Sequence, residues 1–131
     1  METSAYYQTL IRPEWAPPAW LFGPVWSVLY LIIIISFGYV LYQWKKGNVK
    51  TSILIPFILN AIFNVLFTPI QFGLENNFLA AVDIFLTLIT LVWFMVAIWK
   101  KYKWVAIVNI PYLLWVSFAT VLQFTVTYLN A

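Results

Sequence analysis

The chain has 131 residues, enough for one domain, yet 64% of them are hydrophobic and only 8% charged, against about 25% charged in an average soluble protein. That excludes a water-soluble fold. The net charge of +3 does not describe a nucleic-acid binder either, because six of the seven basic residues fall in two short loops and leave no continuous basic surface.

Met1 to Arg12 has neither a basic start nor an apolar core, so it is not a signal peptide, and the first hydrophobic helix is expected to act as the insertion signal. Between Glu14 and Lys45 no residue is charged, and a span of roughly 20 apolar residues crosses a hydrocarbon core. Pro17-Pro18 marks where the first helix begins, because proline is tolerated in a first turn and poorly afterwards. The first span is predicted near residues 20–44, with Pro24 close to its start. The next charge-free run predicts a span near 52–72, with Pro56 and Pro69 bending its ends rather than breaking it. A third span near 77–99 contains one acid, Asp83, and a fourth near 104–128 is kinked by Pro111. Connections of a few residues (Lys45 to Thr51, Gly73 to Asn76, Lys100 to Lys103) make neighbouring helices antiparallel. The predicted fold class is therefore all-α: one antiparallel, four-helix membrane bundle over 1–131, without the internal repeat of an inverted-repeat transporter.

Lys45, Lys46, Lys50, Lys100, Lys101 and Lys103 fall on one side of the membrane, and Arg12 with Glu2, Glu14 and Glu75 on the other. The excess of lysine predicts cytoplasmic lysine loops with both termini outside. Trp44, Trp99 and Trp104 beside those lysines read as an interfacial belt.

Polar residues inside spans carry the functional question. Asn60, Asn64, Thr68 and Gln71 fall on roughly one stripe of the second helix. Amides in hydrocarbon either bond between helices or wall a pocket; the spacing is compatible with both, pairing being favoured for Asn60 and a pocket for Asn64. Asp83 is an acid within a span, a functional candidate by type, yet close enough to its helix start to be hydrated. Tyr112, Trp115, Ala119 and Gln123 recur on one face of the last helix, and Trp26 and Tyr30 pair in the first. Such stripes serve packing as often as binding. No cysteine and no histidine is present, which excludes disulfides, the usual nucleophile pairs, ordinary zinc sites and histidine or thiolate ligation of haem iron.

The stretch RPEWAPPAWLFGPVWSVLY (Arg12 to Tyr30) resembles the first-loop and second-helix signature of the TspO/MBR family, the tryptophan-rich sensory proteins and translocator proteins. The likeness continues in NAIFNVLFTPIQFG (Asn60 to Gly73), LAAVDIFL (Leu79 to Leu86) and IPYLLWVSFAT (Ile110 to Thr120). It implies a protein that binds tetrapyrroles, chiefly porphyrins, in a pocket beneath the first loop, with no cofactor beyond that ligand. It also implies a homodimer surrounded by lipid. Carried over by position, the pocket comprises Tyr7, Trp26, Asn64, Phe67, Asp83, Trp115 and Ala119. Trp26 and Trp115 match the tryptophans implicated in light-dependent porphyrin degradation, so the enzyme alternative rests on them.

Family members usually have five spans, whereas Tyr7 here stands almost at the first residue with no helix before it. The pocket is then expected to lose one wall unless a dimer partner or lipid supplies it. Tyr128 is followed only by Leu129, Asn130 and Ala131, which lack the basic residue of the sterol-recognition pattern, so cholesterol binding is not expected. Four spans in this length also match small multidrug exporters, but those carry a glutamate in the first span and this chain has none. The function expected is binding of a porphyrin or haem-related tetrapyrrole for sensing, sequestration or transport, by ring stacking on Trp26 and Trp115 and hydrogen bonding by Asn64.

Overall fold

The computed structural model describes residues 10–130, the side chains of Ala19, Gln71 and Phe72 excepted. Among these residues the chain is all helical, and four helices are long and apolar enough to cross a membrane. A short 3₁₀ turn at Ala19–Leu21 leads into α1 (Phe22–Lys45). Pro24 lies within its first turn, where the missing N–H has no intrahelical partner to lose. The helix stops at the lysines, and Gly47 at φ 82° makes the left-handed turn that an L side chain adopts only with strain. Next comes α2 (Thr51–Thr68), with Pro56 inside it.

The second span does not continue as α-helix past Thr68. Pro69–Gly73 forms a π-helical turn, with the Leu74 amide donating to the Pro69 carbonyl five residues back at 2.9 Å. Proline at its first position cannot donate, so the ladder there widens instead of stopping.

The third span is α3 (Asn77–Ile98). Asn76 caps it, its side-chain oxygen accepting from the Leu79 amide at 3.0 Å, which satisfies one of the free donors of the first turn. The fourth span is broken rather than kinked: α4 (Lys103–Val108) ends, and α5 (Ile110–Leu129) restarts with Pro111 in its first turn. Pro111 cannot donate and its ring displaces the carbonyl one turn back. Asn109 repairs the gap: its amide nitrogen donates to the Ala106 carbonyl at 3.2 Å, while its side-chain Nδ2 donates to Val105 O at 2.8 Å. The same Nδ2 reaches Ser36 Oγ on α1 at 3.1 Å.

Successive spans run antiparallel, and α3 is central, packed between α2 and α5. It is also the most buried span; α1, which touches α2 and α4, is the least. An aromatic knot of Phe37, Phe57 and Phe94 ties α1, α2 and α3 together, Phe57 stacking on Phe94 at 4.4 Å with Phe37 edge-on to both at 5.0 Å. Between helices in lipid, such close packing stands in for the hydrophobic effect. The six lysines collect at the end of the bundle where α1 ends and α2 begins. There Lys103 Nζ lies 4.9 Å from the Trp99 ring centre, and Trp44 Nε1 donates to Thr51 Oγ1 at 3.0 Å.

Candidate functional site

Midway along the spans, hydrogen bonds join the three best-packed helices through their polar residues. Asn60 is fully buried on α2; its Nδ2 donates to the Thr87 carbonyl at 2.9 Å and to Thr90 Oγ1 at 3.2 Å on α3. Its Oδ1 accepts from the Tyr112 hydroxyl of α5 at 2.9 Å. That hydroxyl in turn accepts from Asn64 Nδ2 at 2.6 Å. Asn60 thus serves helix pairing, each of its polar atoms bonded to another helix.

One turn nearer the loop end the pattern changes. Four buried side-chain atoms have no hydrogen-bond partner among the described residues: Asn109 Oδ1 at the break between α4 and α5, and, together here, Asn64 Oδ1, Asp83 Oδ2 and Trp115 Nε1. Helix register brings the three to one depth. Asn60 pairs with Thr87; four residues forward on α2 is Asn64, and four back on antiparallel α3 is Asp83. Gln123 Nε2 and Thr127 Oγ1 of α5 both donate to Asn77 O of α3, at 3.2 and 3.0 Å. Stepping eight residues back from Gln123 reaches Trp115, and eight forward from Asn77 reaches Phe85, two residues from Asp83. At 1.5 Å rise per residue, Trp115 and Asp83 differ in depth by about 3 Å. Unpaired polar atoms cost on the order of 1–3 kcal/mol each in a protein interior, so three at one level mark a place built for something other than stability.

Aromatic rings surround this level. Trp26 of α1 is half-buried, 6.4 Å from the Tyr112 ring in edge-to-face contact and 5.4 Å from Tyr30. Phe22 meets Trp115 at 5.9 Å, Phe118 meets Trp115 at 5.7 Å, and Trp15 from the first loop meets Phe118 at 5.7 Å. The loop is fastened as well: Asn130 Oδ1 accepts from the Ile11 amide at 3.2 Å, and its Nδ2 donates to the Ile11 carbonyl at 3.0 Å. This clasp ties the loop to the end of α5. A cavity of about 360 Å³ lies on the loop itself, lined by Leu10, Arg12, Glu14 and the prolines around them; it contains none of the residues predicted for the pocket.

Of those predicted residues, Asn64 and Asp83 are buried, and Trp26, Phe67, Trp115 and Ala119 are half-buried on the three helices around this level. Phe67 follows Asn64 by one turn, and Ala119 follows Trp115 by one turn. Tyr7 lies outside the described residues. The predicted asparagine stripe extends only through Asn60 and Asn64, because Thr68 is exposed at the start of the π turn; the Gln71 side chain is outside the described set. Gln123 bonds Asn77 and Thr127 at 3.1–3.2 Å and serves helix pairing. Tyr112 and Thr87 are the residues that periodicity alone undervalued: Tyr112 stood on the aromatic face with no polar role, and Thr87 drew no notice. The available signal was a phenol inside a span, which needs a partner for its hydroxyl.

Comparison with known proteins places the chain among relatives. The tryptophan-rich protein TspO of Chlorobaculum tepidum is 38% identical over 128 residues, covering 97% of this chain and 80% of that protein. The tryptophan-rich sensory protein of Cereibacter sphaeroides is 28% identical over 135 residues, covering 99% and 80%. The translocator protein of Homo sapiens is 32% identical over 131 residues, covering 92% and 72%. The family model described as TspO/MBR matches residues 1–129, and this integral membrane chain belongs to the TspO/MBR family.

Proposed function

We propose that this chain binds a tetrapyrrole within the membrane, at the level of Asn64, Asp83 and Trp115, for sensing, sequestration or transport. The observation that carries the reading is the set of three buried, unpaired polar atoms at one depth, ringed by indole and phenyl side chains able to stack on a planar ligand. The relatives' names, sensory and translocator protein, fit ligand handling without turnover. Trp26 and Trp115 supply stacking faces, Ala119 leaves room beside Trp115, Asn64 supplies a hydrogen bond, and the first loop roofs the site. The site sits at the end away from the lysine loops, which the positive-inside rule assigns to the cytoplasm. A homodimer in the cytoplasmic membrane completes the proposal.

Titrating protoporphyrin IX into detergent-purified protein while following tryptophan emission tests the reading. Saturable quenching that weakens in Trp115→Ala supports it; linear, non-saturating quenching contradicts it. Illuminating the complex separates the enzymatic alternative, which the contact of Trp26 with Tyr112 favours as a path for electrons. Bleaching to a new absorbing product, lost in Trp26→Phe, would make the chain a porphyrin-degrading enzyme.

A further inference from the structure

The hydrogen-bond chain through the bundle has only one possible polarity, and that polarity constrains the ligand. The Thr87 carbonyl can only accept, so the atom of Asn60 that meets it is the donor Nδ2. Asn60 Oδ1 therefore faces Tyr112, and the single hydroxyl proton of Tyr112 is committed to it. The phenol oxygen has only acceptor capacity left, so Asn64 must turn its own Nδ2 toward it. Rotating the Asn64 amide by half a turn would set two acceptors against each other. A backbone carbonyl on α3 thus dictates, through two side chains, that Asn64 presents Oδ1 to the site.

Asp83 Oδ2 at the same level has lone pairs to offer whether or not the carboxyl is protonated, while Trp115 Nε1 can only donate. With Asp83 ionised, the three unpaired atoms amount to two acceptors and one donor. We infer that the ligand of this site meets Asn64 and Asp83 with an N–H group and Trp115 with a neighbouring carbonyl, the edge of a lactam or secondary amide. The inference rests on the tetrapyrrole reading above and selects within it. In a closed macrocycle the N–H groups point at the ring centre, beyond the reach of side chains at its rim, and peripheral carboxylates would meet Asn64 and Asp83 acceptor against acceptor. An open-chain tetrapyrrole that ends in lactam rings carries the complementary edge.

The test compares 6(5H)-phenanthridinone, a planar neutral lactam, with its N-methyl derivative, which keeps the shape and the carbonyl but lacks the N–H. Both are titrated calorimetrically into the detergent-purified full chain, with protoporphyrin IX titrated in parallel. The lactam is expected to bind roughly tenfold or more tightly than its N-methyl form, because methylation leaves buried acceptors unpaired. That preference should shrink in Asn64→Leu, which removes one of the two acceptors, and in Tyr112→Phe, where the Asn64 amide is free to turn over. Equal affinity of the two lactams for the unaltered protein overturns the inference without reference to any variant. Saturable protoporphyrin binding with no lactam binding overturns it while leaving the tetrapyrrole reading intact. Failure of all three ligands to bind overturns both.

Discussion

Asn60 and Asn64 stand one turn apart on the same helix, both buried, yet they do opposite things. Asn60 is bonded through both polar ends to neighbouring helices, whereas Asn64 is bonded through one end and leaves the other unpaired. In a membrane, where helices gain little from burying apolar surface against each other, the first kind of amide holds the bundle together. The second kind costs stability in the free protein and recovers it when something binds. Spacing along the helix cannot separate the two; the partners across the interface do.

The largest expected effect breaks this contrast directly. Asn60→Leu strips Tyr112 of its acceptor and α3 of a cross-helix donor, and should destabilise the bundle by about 1–3 kcal/mol, read as a lower midpoint of unfolding in increasing SDS. Asn64→Leu, the same change one turn away, should cost about 1 kcal/mol or less but weaken binding of 6(5H)-phenanthridinone roughly tenfold. Equal losses of stability in the two variants would erase the distinction. Next in size, Trp115→Ala should weaken protoporphyrin binding by about tenfold and Trp115→Phe by less, since phenyl still stacks but has no N–H to donate; identical losses would assign Trp115 to hydrogen bonding alone.

Smaller effects are expected at the roof. Asn130→Ala removes both bonds that clasp the first loop at Ile11, and should speed ligand dissociation a few-fold in stopped-flow measurements while changing the unfolding midpoint little. Smallest of all, Thr68→Ala should change neither stability nor binding, because its side chain is exposed and lies beyond the end of the polar stripe.

The four spans were legible because charged residues bracket long apolar runs, and the lysines and prolines mark their ends. The break at Asn109 was not. Pro111 announces a disturbance, but a kink became a break because the Asn109 side chain takes over the Val105 carbonyl, a local bond that hydropathy does not register. The π turn at Pro69–Gly73 was hidden in the same way. At the site, the individual residues Asn64, Asp83 and Trp115 could be picked out as polar or aromatic positions on helix faces. Their common depth could not, since it depends on the registers of α2 and α5 against α3. Nor could the role of Tyr112, whose partners lie 48 and 52 residues away in the chain.

The central claim is that the unpaired atoms at this level face the ligand, and the indole N–H of Trp115 reports on it most directly. With ¹⁵N-labelled tryptophan and Trp115→Phe to assign the signal, protoporphyrin IX is added and the indole resonances are followed by NMR. The account predicts that the Trp115 N–H signal moves at saturation, as its environment and hydrogen bonding change, while that of Trp44, already bonded to Thr51 at the far end of the bundle, stays in place. A Trp115 signal that remains unmoved while the ligand saturates the protein would place the binding site elsewhere.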